Sequence, residues 1–255
     1  MKIVFIYIIK IFTFPVNYIL VYNKNLRYNG KSKKMKRLFF LLLIILASCS
    51  SIPILKKEKV IILSPYKEID WGKTKRYKAN LHTHTNRSGG KFSPEEVVNL
   101  YKNRGYSILS ITDHNKFVYT NETGIFLIKG VEIGKKQHHI LSYFSFKIPE
   151  NLENIDEDEI LKNVDKNGFS VFAHPGRYKK EIEWYVEFFN KYENLIGIEV
   201  LNPSVQIKIG KIYGDTDIWD EILKRTMPNK AVWGFANDDF HEISQLSLNW
   251  NEFLI

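Results

Sequence analysis

Cysteine is almost absent from this chain, because Cys49 is the single one among 255 residues. One cysteine excludes an intrachain disulfide, and it also excludes a metal site built from several thiolates. Acidic residues are missing from positions 1–48, although these positions hold nine of the 37 Lys and Arg residues. The N-terminal segment therefore differs in kind from the remainder of the chain.

The formal net charge of +9 comes entirely from this N-terminal segment. In the remainder, 28 basic residues balance 28 acidic residues, so the body of the protein is neutral. A uniformly basic groove for nucleic acid is therefore not indicated, although a neutral total leaves room for a local basic patch. The charge favours a small substrate over a long polyanion.

Residues 35–48 have the parts of a secretory signal. Lys36 and Arg37 precede an apolar run, and Leu46-Ala47-Ser48-Cys49 follows it. The segment resembles a bacterial lipoprotein signal with its lipobox, which implies that Cys49 is acylated and becomes the first mature residue. The resemblance also implies a lipid-anchored protein in the cell envelope, outside the cytoplasm. The alternative is an ordinary buried thiol that follows a transmembrane stretch.

Two interpretations remain open for residues 1–34, where 1–22 is a second apolar stretch interrupted by Lys10 and Pro15. Either translation starts at Met35, or this stretch is inserted in a membrane. Residues 49–76 form a polar tether, and a single globular domain occupies 77–255.

Within that domain, apolar runs alternate with amphipathic segments, which predicts an α/β fold with a mostly parallel sheet. One helix is well marked, since Ser93 fits the N-cap, Pro94 the first helical position and Glu96 a capping box, and Gly105 ends it. Further helices are predicted at 155–167 and 181–192. Buried strands are predicted at 107–112, 126–133, 139–144, 169–173, 196–201 and 231–236.

Histidine and carboxylate pairs mark the ends of these strands. His82 and His84 are two residues apart, so in an extended segment both imidazoles point to one side and reach one ion. Asp239 and His241 repeat this spacing after the run 231–236. Glu132 ends a buried strand, where coordination to cations would remove the cost of an unpaired carboxylate.

In order along the chain, these motifs resemble the PHP family (polymerase and histidinol phosphatase) of metal-dependent phosphoesterases. The motifs are Asn80-Leu81-His82-Thr83-His84-Thr85, Ser88-x-Gly90, Ser93-Pro94-Glu95-Glu96, Thr112-Asp113-His114, Gly130-Val131-Glu132, His139-Ile140-Leu141, Ala173-His174-Pro175 and Asp239-x-His241. The resemblance spans residues 78–241. It implies a distorted (β/α)7-type barrel, with the site at the carboxyl ends of the strands.

The resemblance also implies a role for each residue. A first metal ion would be held by His82, His84, Glu132 and Asp239, a second by Glu132, His139 and His174, and a third by His114 and His241. His138 is the neighbouring alternative to His139, and we expect it to be a surface histidine.

Three residues are expected near the metals rather than on them. Asp113 should hydrogen-bond a ligand histidine or its loop. Glu199 stands at a strand end and would support a ligand. Arg177 either contacts a substrate phosphate or is solvated.

Imidazole and carboxylate ligands suit Zn²⁺, Mn²⁺ or Fe²⁺. The expected function is hydrolysis of a phosphate ester by metal-activated water at a di- or trinuclear site, with His241 and Asp239 as candidate catalytic residues. The proton for the leaving group comes either from His241 or from a water molecule at the metals.

Two departures from the family pattern concern the third ion, because Asn80 and Gly89 stand where relatives commonly carry acids. The chain also ends 14 residues after His241, which suggests a missing closing element. Two alternatives therefore stay open. One is a lipid-anchored module that binds metal or phosphate without catalysis, and the other is a hydrolase of another ester or amide.

Overall fold

We describe the fold from a computed structural model. The structure describes residues 4–5, 69–178, 180–203 and 215–255. Residues 70–255 belong to one compact unit. The predicted lipobox with Cys49, most of the tether and nearly all of the N-terminal extension lie outside the described residues, so these interpretations stay predictions. In the described part of the chain, no helix is both long and apolar enough to span a membrane.

The described residues form one nine-stranded sheet. The strands are β1 Val4–Phe5, β2 Arg76–Asn80, β3 Ile108–Ile111, β4 Phe126–Ile133, β5 Ile140–Tyr143, β6 Phe169–Phe172, β7 Leu195–Leu201, β8 Trp233–Ala236 and β9 Asn251–Leu254. Their spatial order is β1-β9-β2-β3-β4-β5-β6-β7-β8. Strands β2 to β9 curve into a nearly closed barrel, which confirms the predicted α/β barrel.

Strand direction decides where the side chains of the barrel meet. β2, β3 and β4 run parallel, β6, β7 and β8 run parallel, and β5 between them is antiparallel to both neighbours. The carboxyl ends of the six parallel strands therefore share one edge with the amino end of β5. We call this edge the rim.

The barrel closes between β8 and β2. At the rim, Thr83 and Phe240 form a parallel bridge, and the N–H of His84 donates to the carbonyl of Phe240 at 2.9 Å. Farther from the rim, side chains of Asn80, Asn237 and Asn251 span the gap. We call this side of the barrel, from residues 236–240 to residues 79–84 and Asn251, the seam.

In the described residues, four helices cover the outside of the barrel. They are α1 Pro94–Lys102, α2 Glu157–Lys162, α3 Ile182–Lys191 and α4 Thr216–Thr226. The predicted capping box of α1 is present, because the Ser93 hydroxyl accepts from the Glu96 N–H and the Glu96 carboxylate accepts from the Ser93 N–H. This box satisfies two backbone N–H groups that the helix leaves unpaired. Gly105, at φ 75°, lies just beyond the end of α1.

Apolar side chains fill two layers around the strands. Inside the barrel lie Ala79, Leu81, Ile108, Ile128, Leu141, Tyr143, Val171, Ala173, Phe235 and Phe253. The layer between the strands and the helices α3 and α4 includes Val131, Ile133, Ile140, Phe172, Tyr185, Phe189 and Ile222. Burying each large apolar side chain contributes about 1.5–3 kcal/mol. The packed interior fixes the strands and therefore the positions of the rim residues.

The sequence predicted most of these elements, and the differences are local. The helix expected at 155–167 is the short α2, which ends at Lys162 and is followed by turns before Gly168. The helix α4 and the strands β1, β2 and β9 were not predicted. Residues 251–254 form β9, which pairs antiparallel with β2.

Candidate metal centre

His82 and His84 follow β2 and enter the rim from the seam side. Both side chains are fully buried, and their Nε2 atoms lie 3.1 Å apart. The alternation of an extended segment gives them this common direction, as the sequence predicted.

Glu132 is the centre of the rim. It ends the inward face of β4 and is fully buried. Its Oε1 lies 2.8 Å from His139 Nδ1 and 2.9 Å from His174 Nε2. Its Oε2 lies 3.0 Å from His114 Nδ1, 3.1 Å from His84 Nε2 and 3.3 Å from His82 Nε2. One carboxylate is thus surrounded by five imidazoles.

Asp239 approaches the same histidines from beyond β8. Its Oδ1 lies 3.3 Å from His82 Nε2 and 3.1 Å from His84 Nε2. The structure therefore brings together the four side chains expected around the first metal ion. The residues expected around the second ion also meet, because His139 and His174 both face Glu132 Oε1.

His139 reaches the rim because β5 runs against its neighbours. His139 precedes β5, whereas the other rim residues lie at the ends of their strands or just after them. Because β5 runs in the opposite direction, all of these residues lie at the same edge. Gly134, at φ 150°, makes room for it, since a Cβ at this position would lie 2.6 Å from His139 Cδ2. A larger residue at position 134 would push the imidazole out of place.

Backbone strain accompanies two of these residues. His174 has φ 32° and Asp239 has φ 47°, both in the left-handed region that residues with a Cβ rarely adopt. Such conformations cost of order 1–3 kcal/mol each and concentrate at functional sites. The strain at His174 and Asp239 supports a functional role for the rim.

His114 and His241 stand at the more open side of the rim. The His241 ring packs 4.3 Å from His84, and the His114 ring stacks 4.5 Å from His84. His241 Nδ1 lies 2.8 Å from the carbonyl oxygen of Asp239, so Nε2 is the nitrogen left for a ligand or a proton. A Cβ at Gly89 would lie 3.3 Å from this Nε2, so Gly89 leaves space there without a side-chain ligand.

Glu199 supports the rim from behind. Its Oε1 accepts from His82 Nδ1 at 2.9 Å and from Asn237 Nδ2 at 2.8 Å. Its Oε2 accepts from the His174 N–H and from Asn202 Nδ2, both at 2.8 Å. With Nδ1 bonded to Glu199, His82 has Nε2 as the nitrogen that faces the rim. Asn237 is a residue that motif spacing did not reveal.

Asp113 holds a loop and does not face Glu132. Its carboxylate accepts from the Thr85 N–H at 2.9 Å, from the Thr85 hydroxyl at 2.5 Å and from the Ser88 hydroxyl. The loop that follows His84 is fixed in this way. Arg177 is exposed on a short helical turn behind His174, with its guanidinium 5.9 Å from the Tyr178 ring.

The expectation that His138 lies at the surface is wrong. Its side chain is fully buried, stacks on Tyr178 at 4.2 Å, and has Nε2 3.0 Å from the Tyr185 hydroxyl. Neighbouring residues of an extended segment face opposite sides, so His139 points to the rim and His138 into the aromatic layer under α3. Burial lowers the pKa of His138 well below its usual value, which keeps the imidazole neutral.

The charges of the rim are strongly coupled. Burial alone would lower the pKa of His82, but Glu199, Asp239 and Glu132 outweigh it and raise the pKa well above its usual value. Burial alone would raise the pKa of Glu132, but His82 and the other histidines outweigh it and hold the pKa far below its usual value. The rim therefore holds its carboxylates ionised and attracts positive charge.

The donor set fits divalent cations. Glu132 Oε2 is buried and has no hydrogen bond of normal geometry, although three imidazole nitrogens lie within 3.3 Å. Among the described residues, four groups offer three ligand atoms within 4.8 Å of one another: His82, His84 and Glu132; His82, His174 and Asp239; His114, Glu132 and His139; His84, His114 and His241. Imidazole and carboxylate are the ligands of Zn²⁺, Mn²⁺ and Fe²⁺.

Several known proteins are similar to this chain. No protein-family model matches the chain. A solved two-domain protein of Bacteroides vulgatus, described as containing a predicted PHP-like metal-dependent phosphoesterase, is 20% identical with a TM-score of 0.49. The match covers 68% of this chain and 54% of that protein, so the chain spans about half its length. An amidohydrolase of Chromobacterium violaceum is 16% identical with a TM-score of 0.48, over 67% of this chain and 90% of that one.

A sequence relative is known from Methanocaldococcus jannaschii. Its uncharacterized protein MJ1587 is 31% identical over 117 residues, which cover 38% of this chain and 67% of the relative. The chain therefore belongs to the same family as the Methanocaldococcus jannaschii protein, and its strands form the nearly closed α/β barrel described above.

Proposed function

We propose that the protein is a metal-dependent phosphoesterase. The observation that carries this proposal is Glu132, one buried carboxylate whose two oxygens face two separate sets of imidazoles. A carboxylate placed in this way is suited to bridge two cations. A purely structural carboxylate would need far fewer partners.

Residues around the rim divide into two ligand sets. His82, His84, Asp239 and Glu132 Oε2 would hold one ion. His139, His174 and Glu132 Oε1 would hold a second. Bound divalent ions would lower the pKa of a water molecule and neutralise charge on phosphate oxygens. The body of the chain is neutral, so the positive charge of the bound ions, rather than a basic surface, would attract a small phosphorylated substrate.

The number of ions that the site would hold depends on the residues at the open side of the rim. His114 and His241 lie beside His84, but Gly89 supplies no carboxylate there. We propose two tightly held ions, with His241 Nε2 free to donate a proton to the leaving group. Burial lowers the pKa of His241, which makes its protonated form a stronger acid.

The proposal is tested on the full chain, purified in detergent and loaded with Mn²⁺ or Zn²⁺. We expect two equivalents of metal by elemental mass spectrometry and release of phosphate from p-nitrophenyl phosphate. His82→Ala and Asp239→Ala should lose both metal and turnover, whereas His138→Asn should keep its metal. A third equivalent would assign an ion to His114 and His241.

One outcome would end the catalytic proposal. If folded protein binds one ion or fewer and releases no phosphate, the chain is a binding module for metal or phosphate. If it binds two ions and cleaves only carboxylic esters or amides, the reaction class changes and the metal centre stands. The lipid anchor at Cys49 remains a separate proposal, tested by labelling with a fatty acid in a bacterial host.

A further inference from the structure

The seam of the barrel is held by side chains where a strand ladder would be expected. In the described residues, Thr83 and Phe240 form the one backbone bridge between the segment after β8 and the segment after β2. Farther from the rim than this bridge, the Asn251 side chain makes the contacts across the seam. Its Oδ1 accepts from the Ala236 N–H at 3.0 Å, and its Nδ2 donates to the Ala236 carbonyl at 2.9 Å. One amide thus replaces a pair of ladder hydrogen bonds.

Asn251 also touches a second amide. Its Nδ2 donates to Asn237 Oδ1 at 2.9 Å, and the Leu81 N–H donates to the same oxygen at 3.0 Å. Because Asn251 Nδ2 and the Leu81 N–H are both donors, the end of the Asn237 amide that faces them must be its oxygen. The Asn237 amino group must therefore face the other way.

On that other side stands Glu199. Asn237 Nδ2 donates to Glu199 Oε1 at 2.8 Å, and the same oxygen accepts from His82 Nδ1 at 2.9 Å. A continuous chain of hydrogen bonds therefore runs from Asn251 on β9, through Asn237 and Glu199, to a predicted metal ligand. All four residues are buried or half-buried, so bulk water does not compete freely with these bonds.

We propose that Asn237 and Asn251 are positioning residues that set the orientation and proton position of His82. The proposal rests on the metal centre of the proposed function. The two amides act through Glu199, which needs a donor from Asn237 to keep Oε1 aimed at the His82 ring. Partners of this kind typically change metal affinity by about 10- to 100-fold when removed.

Asn251→Asp is the sharpest variant. A carboxylate of nearly the same size still accepts from the Ala236 N–H, but it has no proton to donate to Asn237 Oδ1. Two acceptors would then face each other, which favours a turned Asn237 amide with its oxygen against Glu199. Glu252→Gln is the matched control on the same strand, because Glu252 contacts the exposed Arg76 at 3.6 Å and no rim residue.

Two measurements on the full chain in detergent test the proposal, and neither needs a substrate. The first is the dissociation constant for Zn²⁺, from competition with a chelator. The second is the Nδ1–H proton resonance of His82 in the metal-free protein, identified by its loss in His82→Asn. We expect Asn251→Asp to weaken Zn²⁺ binding about tenfold and to shift or broaden this resonance, whereas Glu252→Gln changes neither.

A merely structural role for Asn251 would lower the unfolding temperature and leave the His82 resonance in place. That result, with Zn²⁺ binding within twofold of the unaltered protein, would overturn the proposal. If Asn251→Asp does not fold, Asn251→Ala poses the same question, since Asn237 then keeps only the Leu81 donor, and we expect at least threefold weaker binding. A protein that binds Zn²⁺ but hydrolyses no phosphate ester would end the proposed function and leave this relay standing.

Discussion

The rim and the seam are two buried polar regions of one barrel, and they meet at His82. In the rim, a buried oxygen of Glu132 and a buried nitrogen of His174 have no hydrogen bond. In the seam, the amides of Asn80, Asn237 and Asn251 are all engaged. A buried polar group without a partner costs about 1–3 kcal/mol, so the seam is complete by itself, whereas a bound cation would complete the rim.

This contrast predicts that substitutions in the rim act on binding and catalysis, whereas substitutions in the seam act on stability and, where the asparagines contact Glu199, also on His82. Four experiments test the division. The expected effects decrease from the first to the last.

Glu132→Gln should have the largest effect. An amide cannot bridge two cations, so we expect phosphate release to fall at least about 10³-fold, since several kcal/mol of charge stabilisation depend on the ions. Asp238→Asn is the matched control, because Asp238 is buried but bonds Tyr101 and the backbone of Ser247 and Asn249. The measurements are the metal content and the kcat/KM of both variants. Full metal content in Glu132→Gln would contradict a bridging role.

Asn80→Asp tests the seam. The Asn80 amino group donates to the His82 carbonyl, the Thr83 hydroxyl and the Tyr101 hydroxyl at 2.9–3.1 Å. A buried carboxylate has no donor for the His82 carbonyl, so we expect the free energy of unfolding to fall by about 3 kcal/mol. Urea unfolding measures this, with Asn99→Asp on the exposed face of α1 as the control. A gain of one bound ion instead would place residue 80 in the rim.

His138 and His139 form an adjacent pair with opposite expected outcomes. His139→Asn should weaken the binding of one ion about 10- to 100-fold and leave the metal-free fold little changed. His138→Asn should keep both ions but lower the free energy of unfolding by about 2 kcal/mol, because it removes the buried imidazole and its 3.0 Å contact with the Tyr185 hydroxyl. Metal titration and thermal unfolding of the two variants separate the roles. Equal loss of metal in both would refute the division.

The pH dependence of metal binding should be the smallest effect. Burial alone would lower the pKa of His84, but Asp239 and Glu132 raise it to about 9, above the unfolded value of 6.5. Its proton therefore stabilises the metal-free fold fully below about pH 6.5, and this contribution is lost as pH rises through about 9.

A cation must displace that proton. We expect Zn²⁺ affinity to rise about tenfold between pH 7 and pH 8, with protons released on binding. Calorimetry in two buffers of different ionisation enthalpy measures the release. Affinity that stays flat over this range would mean that His84 is already neutral.

The sequence predicted the rim better than the seam, for a physical reason. Strand ends with paired histidines carry a local signal, so the spacing of His82 and His84 and the strand-end position of Glu132 indicated a metal site, and the resemblance to the PHP family implied their roles. The capping box of α1 is likewise local and matched closely. The contact between Asn237 and Leu81 in the seam joins residues 156 positions apart, and no spacing rule predicts such a pairing.

Three of the differences concern His138, β9 and α4. His138 and His139 are neighbours in the extended segment before β5, and alternation places His138 on the face opposite to His139, where it meets Tyr185 of α3. The apolar residues Phe253 and Leu254 of β9 show no alternation, and β9 pairs with Arg76–Asn80 at the start of the domain. The helix α4 has amphipathic spacing that is readable from the sequence.

The position of β9 beside β2 has a consequence for the timing of synthesis. His82 emerges from the ribosome early, but Asp239 and Asn251 emerge among the last residues of this sequence. A nascent chain therefore carries six of its eight proposed ligands before Asp239 and His241 are made. Under the proposed function, capture of a cation at the first site would follow the synthesis of Asp239, so a chain released before residue 239 would carry six ligands but lack this carboxylate.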